Sequence, residues 1–147
     1  MSFVVQRAPF AHRRWLQGKT NVEVGDGFVA IEAVDPSRIE YCYSCRRAHG
    51  RIVGMVGYDG WTHTACSMHV AIETPAAVRA LLRPAFDYAF NHKQRKVVLG
   101  ITPGDNAAAL RFNRHLGFSQ VHRVKDGWAE GIDLVVQEMR RDACRWL

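Results

Sequence analysis

The sequence predicts an α+β protein in which an antiparallel meander of strands is followed by a β-α-β unit. Residues 28–73 form short alternating or apolar runs separated by turn residues, whereas residues 74–90 change to a helical period. The second half then places an apolar run, a short capped helix and two further apolar runs in that order. Together these observations indicate one mixed sheet with helices packed against it.

The composition limits the size and the cellular setting of the protein. Of its 147 residues 48% are hydrophobic, which is enough for one compact domain with a core, and the chain is too short for two domains. We therefore treat residues 1–147 as a single domain. A transmembrane helix needs about 18 consecutive apolar residues, and no run in this sequence approaches that length. The first residues also lack the pattern of a secretory signal peptide. We expect a cytoplasmic protein without a membrane partner.

The net charge of the chain indicates which kinds of partner it favours. A formal net charge of +6 favours an anionic partner, such as nucleic acid, an acidic protein surface or a phosphorylated cofactor. The arginines are scattered along the chain, and solvated basic faces are the commoner explanation of such a pattern. Nucleic acid is therefore the less favoured partner.

The first half is predicted to be mainly strands. "FVVQ" is a short strand, and Pro9 begins a short helix. "FVAIEAV" is a strand that ends in a turn at Asp35-Pro36-Ser37. "RIEYCYSCRR" is predicted as the next strand, with a turn at His49-Gly50 after it. "RIVGMVGYD" and "ACSMHVAIE", with the turn "DGWTHT" between them, complete the meander.

The long helix follows directly. Thr74 is predicted to N-cap a helix whose first residue is Pro75, and Pro84 is expected to bend this helix or loosen one backbone bond. Apolar residues recur at helical spacing over nearly five turns; they are Val78, Leu81, Leu82, Ala85, Phe86, Ala89 and Phe90. "KVVLGIT" is then a covered, parallel-type strand, and "FSQVHRV" and "IDLVVQEM" are the last strands, around the loop "KDGWAEG".

The stretch "GDNAAALRFNRHLGF" is the most informative part of the second half. Asn106 is predicted to cap a short helix, and Gly117 to end it in the left-handed conformation before Phe118 begins a strand. Helices capped in this way are common, so a purely structural explanation of the stretch exists.

The spacing within this stretch also resembles the signature of the GNAT superfamily of acetyl-CoA-dependent N-acetyltransferases, N-x-x-A-(I/L)-x-(L/F)-Y-x-x-x-G-F. The matching residues are Asn106, Ala109, Leu110, Phe112, Leu116, Gly117 and Phe118. The order of elements from about Ile52 to the C-terminus is similar to that family as well. The segments "RRDACRWL" and "CSMHVA" resemble small acetyltransferase-like proteins of phages and prophages.

The resemblance implies a GNAT-like mixed sheet in which strands 4 and 5 splay apart and hold acetyl-CoA. The pantetheine arm would pair with the free backbone of the fourth strand, and the pyrophosphate would lie at the start of the following helix, where amides and the helix dipole attract anions. The implied cofactor-binding residues are Val70, Ala71, Ile72, Thr74, Ala77, Val78, Arg79, Asn106, Phe112 and Asn113.

Two departures from the family pattern leave an alternative open. The glycine-rich loop R-x-x-G-x-G/A before the helix is replaced by "ETPAAVR", and the tyrosine that often protonates the departing thiolate falls at Asn113. A thiolate with a pKa near 8.5 can leave with help from water, so the second change slows the chemistry without forbidding it. The alternative is a catalytically inactive, GNAT-shaped module that acts through protein contacts.

Acetyl transfer by direct attack of a primary amine needs a proton acceptor and a held carbonyl. His69 is the first candidate base, because imidazole titrates near neutral pH, and Glu73 is the second. A hydrogen-bonded core histidine and a solvated carboxylate are the competing explanations. A fourth-strand amide would hold the carbonyl oxygen. The acceptor amine, on a peptide, a protein or a small molecule, is not identified, and a homodimer is left open.

The spacing Cys42-x-x-Cys45 with His49 raises the question of a zinc site. If the segment is a strand, the two cysteines project to opposite faces and do not chelate one ion together. A second C-x-x-C pair is absent from the sequence. We therefore predict no metal site.

Overall fold

The computed structural model describes residues 2–20, 22–43 and 45–147, which form one mixed sheet with helices on both faces. The strands are β1 (Val4–Arg7), β2 (Val29–Cys42), β3 (Arg47–Asp59), β4 (Ala65–Ile72), β5 (Val97–Pro103), β6 (Ser119–Ala129) and β7 (Ile132–Arg140). The helices are α1 (Arg13–Thr20), α2 (Val78–Asp87) and α3 (Ala107–Leu116), with 3-10 turns at Phe10–His12, Pro75–Ala77 and Arg141–Ala143 and a π turn at Tyr88–His92.

The strand order β1-β2-β3-β4-β5-β7-β6 confirms the predicted α+β class. Strands β1 to β4 form the antiparallel meander, and β4 pairs with β5 in parallel. The β5-α3 segment then leads into the antiparallel β6–β7 pair, of which β7 lies beside β5. The change from antiparallel to parallel pairing falls between β4 and β5, in the middle of the sheet.

Side chains pack on both faces of the sheet. The apolar stripe of α2 is buried against one face, where the Tyr58 hydroxyl donates to the Ala85 carbonyl at 2.8 Å. Helix α1 covers the other face through Leu16, which clusters with Phe28. Gly57 makes this approach possible, because a Cβ there would stand 2.0 Å from the Phe28 ring.

The predicted turn at Asp35-Pro36-Ser37 is wrong, since β2 continues through it as a bulge. The Asp35 carboxylate accepts hydrogen bonds from the Ser37 amide at 3.0 Å and the Ser37 hydroxyl at 2.6 Å. The pairing with β3 shifts register between Asp35 and Ile39 and then resumes. An aspartate that bonds to the backbone two residues ahead favours a turn. Here the same bond stabilises a bulge, which also accommodates Pro36.

The described turn residues between β2 and β3 are Tyr43, Cys45 and Arg46, so the turn does not lie at His49-Gly50 as predicted. Arg46 adopts a φ of 58° there, and His49 and Gly50 pair with β2 as part of β3. The separate strand predicted for residues 38–47 is therefore the end of β2 and the turn; Ser44 lies outside the described residues. The alternation of side chains consequently ends at Cys42.

The predicted N-caps of two helices differ in outcome. The Asn106 side chain accepts a hydrogen bond from the Ala109 amide at 3.1 Å, and Gly117 has a φ of 118°, so both predicted caps of α3 are confirmed. Thr74 occupies the predicted position before Pro75, but its side chain makes no capping bond and the first turn is 3-10.

The structure also defines where helix α2 and strand β6 end. Helix α2 continues through Pro84 to Asp87, and the π turn at Tyr88–His92 follows it, so the helix does not end at the proline. Strand β6 runs on to Ala129, so most of the predicted loop at residues 125–131 is strand, with an irregularity after Val124. Within the described parts of the chain, no helix combines the length and the hydropathy needed to cross a lipid bilayer.

Candidate functional site

The candidate site begins where β4 and β5 separate. Their parallel pairing covers three positions and ends at Ser67 opposite Leu99. Beyond this point β4 still pairs with β3 as far as Ile72, whereas its other edge faces the departing β5. The predicted splay of strands 4 and 5 is therefore present. It leaves backbone donors and acceptors of β4 available to an extended ligand.

A cleft of about 350 Å³ occupies this gap. Met68, His69 and Val70 of β4 line one side, and residues 100–103 of β5 line the other. The volume is within the range of small-molecule sites. None of the described residues that line the cleft is an aspartate or a glutamate.

His69 is the titratable β4 side chain in this cleft, and a carboxylate orients it. Its Nε2 atom lies 2.7 Å from the Asp59 Oδ1 atom, on the sheet face that carries α1. His69 is 16% exposed and Asp59 33% exposed. A neutral imidazole that donates from Nε2 carries its lone pair on Nδ1. The Asp59 carboxylate therefore fixes the orientation of the His69 ring at the edge of the cleft.

Glu73, the second candidate base, lies outside the cleft lining and in a network of cations. The Arg51 guanidinium bonds to its carboxylate through Nε at 2.9 Å and through Nη2, and the Lys19 Nζ atom lies 3.6 Å away. The hydrogen bonds from Arg51 lower the pKa of Glu73 below its ordinary value. A carboxylate stabilised in its charged form is a weak proton acceptor.

A second cavity, of about 600 Å³, lies at the start of α2. Pro75, Ala76, Val78 and Arg79 line it from the helix, and His115, Arg145 and Trp146 line it from the end of α3 and the C-terminal segment. The C-terminal segment is held there by the Trp146 indole, which donates to the Leu116 carbonyl at 2.8 Å. Two guanidinium groups therefore flank this cavity.

The backbone at this helix start is already largely engaged. The amides of Glu73 and Thr74 donate to the Val53 carbonyl at 2.8 and 3.2 Å. The Ala77 and Val78 amides bond within the 3-10 turn. An anion in this cavity would thus be held chiefly by arginine side chains, because fewer backbone donors remain than at an open helix start.

The residues near α3 divide between the cleft and the core. Asn106 and Asn113 line the cleft, whereas Phe112 packs against the main core cluster. Asn113 is buried, and its side-chain amide donates to Gln137 Oε1 at 3.0 Å and Thr102 Oγ1 at 3.3 Å. The residue at the tyrosine position therefore ties α3 to β5 and β7.

The remaining predicted cofactor residues line one of the two cavities or pack near them. Val70 lines the cleft, and Val78 and Arg79 line the second cavity. Ile72 packs against the main core cluster, and Ala71 packs against the smaller cluster around Leu16 and Phe28. Ala77 is fully buried. Thr74 is half-buried and stands just before the 3-10 turn.

Sequence reasoning missed several lining residues that distant segments contribute. Lys19 and Thr20 reach the cleft from α1, and Trp128 reaches it from β6. Arg145 and Trp146 reach the second cavity from the C-terminal segment. The only sequence signal for the last pair is the cation beside an aromatic residue in "CRWL", which is too common to assign a site.

The predicted separation of Cys42 and Cys45 onto opposite strand faces is also wrong. Cys42 is the last residue of β2 and Cys45 lies in the turn, so strand alternation does not separate them. Their sulfur atoms and two histidine rings instead come together.

Comparison with known proteins supports the fold. No family sequence model and no curated protein sequence matches the chain. Among solved structures, mutant forms of the spermidine/spermine N-acetyltransferase SpeG from Vibrio cholerae are similar with a TM-score of 0.72 and 10% identity, over 96% of both chains. The same organism's spermidine N-acetyltransferase in complex with CoA and spermine is similar with a TM-score of 0.70 and 11% identity, over 96% of both chains.

A dodecameric structure of that enzyme in an intermediate state gives a TM-score of 0.68 at 10% identity, over 95% of this chain and 94% of the other. These enzymes are GNAT family members, so the resemblance found in residues 106–118 is confirmed for the fold of nearly the whole chain. The likeness to phage proteins and the cytoplasmic location stay predictions.

Proposed function

We propose that the chain is an N-acetyltransferase that moves the acetyl group of acetyl-CoA onto a primary amine by direct attack. The single observation that carries the proposal is the open edge of β4 facing the departing β5, with a cleft between them. A strand edge of this kind pairs with an extended, amide-containing arm, and pantetheine has that form. The structurally similar Vibrio cholerae enzyme has been crystallised with CoA.

The second cavity fits the phosphates of the same co-substrate. Arg79 and Arg145 line it at the start of α2, and guanidinium groups form charge-assisted bonds to phosphate oxygens. The glycine-free segment "ETPAAVR" and the engaged amides of the 3-10 turn remove part of the usual backbone cradle. We infer that the arginines replace it.

The chemistry requires one proton to move. Bound acetyl-CoA supplies a thioester carbonyl that accepts an amine as the thiol leaves. His69 takes the amine proton on Nδ1, because Asp59 occupies Nε2. A backbone amide of the unpaired β4 edge holds the carbonyl oxygen. Asn113 supplies no acid, so the thiolate is protonated by water.

The lining of the cleft narrows the acceptor class. A polyamine carries several positive charges and would need carboxylates along its binding groove. The described lining residues instead include Lys19 and no acidic side chain. We infer an acceptor that offers a single amine, such as a peptide amine or a small metabolite with one amino group.

Calorimetry with acetyl-CoA tests the proposal. We expect saturable binding with about one molecule per chain and, in a thiol-release assay, turnover with single-amine acceptors in preference to spermidine. Absence of binding at millimolar acetyl-CoA would remove the enzyme proposal. If acetyl-CoA binds and spermidine is the best acceptor, the proposed acetyltransferase activity stands and the inference of a single-amine acceptor is wrong.

A second candidate function is a non-catalytic module of the same fold. The engaged amides before α2 and the structural bonding of Asn113 favour it, since both replace features that serve catalysis in the family. This candidate predicts neither acetyl-CoA binding nor turnover, so the same two measurements distinguish it.

A further inference from the structure

We propose that the chain holds a structural zinc ion between His12, Cys42, Cys45 and His49. One ligand atom of each residue lies within 4.8 Å of every other. Around a tetrahedral zinc ion neighbouring ligand atoms stand about 3.3–3.8 Å apart. A contraction of about 1 Å, within the freedom of the side-chain torsions, therefore closes the site. This proposal is independent of the proposed acetyl transfer.

The four residues come from two segments, the turn before α1 and the β2–β3 hairpin, that only the tertiary structure brings together. His12 ends the 3-10 turn before α1, Cys42 ends β2, Cys45 lies in the following turn and His49 lies in β3. The two imidazole rings have centroids 4.3 Å apart. Each residue is buried or half-buried, so an ion bound here would be largely shielded from water.

In both histidines the Nδ1 atom lies at hydrogen-bonding distance from an oxygen atom, so the Nε2 atom is the one available to a metal ion. The His12 Nδ1 atom lies 2.9 Å from Glu32 Oε2, and Glu32 is fully buried and also accepts from the Gln6 amide at 2.8 Å. The His49 Nδ1 atom lies 2.7 Å from the Gly50 carbonyl oxygen. Carboxylates and carbonyls bound to one nitrogen in this way orient metal-ligating histidines.

The other ring nitrogen of His49 also indicates a bound ion. His49 Nε2 is buried and, among the residues that the structure describes, has no hydrogen-bond partner of suitable geometry. The Cys42 side chain lies beside this ring. A metal ion between this nitrogen and the neighbouring Cys42 sulfur would give both atoms a ligand bond.

The sulfur atoms are arranged for thiolate ligation. The Cys45 amide donates to Cys42 Sγ at 3.3 Å, and such a bond stabilises a charged sulfur. Two sulfur and two imidazole ligands in tetrahedral reach favour zinc over magnesium or calcium, which prefer oxygen ligands. The ion would tie the β2–β3 hairpin to the segment that enters α1, and α1 supplies one wall of the cleft.

The test uses the full chain, kept reduced and titrated with Zn²⁺ in competition with a chromogenic chelator. We expect one tight site per chain, a rise in Tm with Zn²⁺ that a chelator reverses, and, with Co²⁺, the intense visible bands and sulfur charge-transfer band of a tetrahedral thiolate site. An octahedral, sulfur-free Co²⁺ spectrum would overturn the proposal.

Variants locate the site. Cys45→Ser lies in the turn, where folding should tolerate it, and we expect it to abolish tight binding. Cys144→Ser, at a half-buried cysteine outside the cluster, is the matched control and should bind as the parent does. Glu32→Gln should weaken binding by about 10–100-fold. Equal Zn²⁺ affinity in Cys45→Ser and in the parent would overturn the assignment.

Discussion

The Nε2 atom of His69 lies 2.7 Å from the Oδ1 atom of Asp59, so a carboxylate on β3 orients the imidazole that β4 presents to the cleft. The bond is made across neighbouring antiparallel strands, in which Gly57 is the residue opposite His69. The absence of a side chain at that position leaves the imidazole beside Phe28, with ring centroids 6.2 Å apart.

This pair leads to a prediction about catalysis. His69→Ala should lower kcat by about 100-fold or more, because the proton acceptor is lost, while the Kd for acetyl-CoA stays unchanged. Asp59→Asn should lower kcat by at least about tenfold through loss of orientation, and Asp59→Glu should recover part of it. Steady-state kinetics and calorimetry measure the two quantities. Unchanged turnover in His69→Ala would show that His69 is not the base.

The arginines of the second cavity give a prediction about co-substrate affinity. Arg79→Ala and Arg145→Ala should each weaken acetyl-CoA binding by about tenfold, since a hydrogen bond to a charged group contributes about 1.5–3 kcal/mol. The loss should shrink at high salt. Arg38→Ala, at an exposed position in the β2 bulge, is the control and should bind as the parent does. Equal affinities in all four proteins would place the phosphates elsewhere.

The bonding of Asn113 predicts an effect on stability more than on chemistry. Asn113→Ala leaves Gln137 and Thr102 without their amide donor in a buried site, which should lower the free energy of unfolding by about 1–3 kcal/mol. Asn91→Ala removes an exposed bond to Asp87 and should change stability much less. Denaturant unfolding measures both. A large fall in kcat without a change in stability would instead assign Asn113 to the reaction.

The network around Glu73 predicts a pH dependence. Hydrogen bonds from Arg51 lower its pKa in the folded state below the ordinary value of 4.5, so the folded state binds the proton more weakly than the unfolded state does. The resulting stabilisation is present above about pH 4.5 and is lost as the pH falls through the lowered folded-state value. At this exposed position it should amount to about 0.5–1 kcal/mol.

Comparison of the parent with Glu73→Gln checks this sign. The parent should be more stable at pH 7, and the difference should vanish as the pH is lowered below the carboxyl range. Thermal unfolding across pH measures it. A difference that grew in acid would contradict the assignment, because it would require a raised pKa.

Much of the framework was predictable because local interactions decide it. The stripe from Val78 to Phe90 buries one helix face whatever lies opposite, and Asn106 and Gly117 close α3 through bonds within its own turns. The hairpin was not predictable in the same way. Asp35 and Ser37 form a turn-like bond, yet pairing with β3 continues past it, and that pairing is a tertiary interaction.

The sequence by itself determined the order of elements from β4 onward, the helix that follows β4 and the residues around α3 that resemble an acetyl-CoA-dependent family. Only the tertiary structure decided which side chains come together: His69 beside Asp59, Arg79 and Arg145 around one cavity, and His12 near the thiols of the hairpin. The reason is physical. Helical periods and caps depend on residues a few positions apart, whereas a site depends on strand register and on segments far apart in sequence that come together only when the sheet and its helices pack.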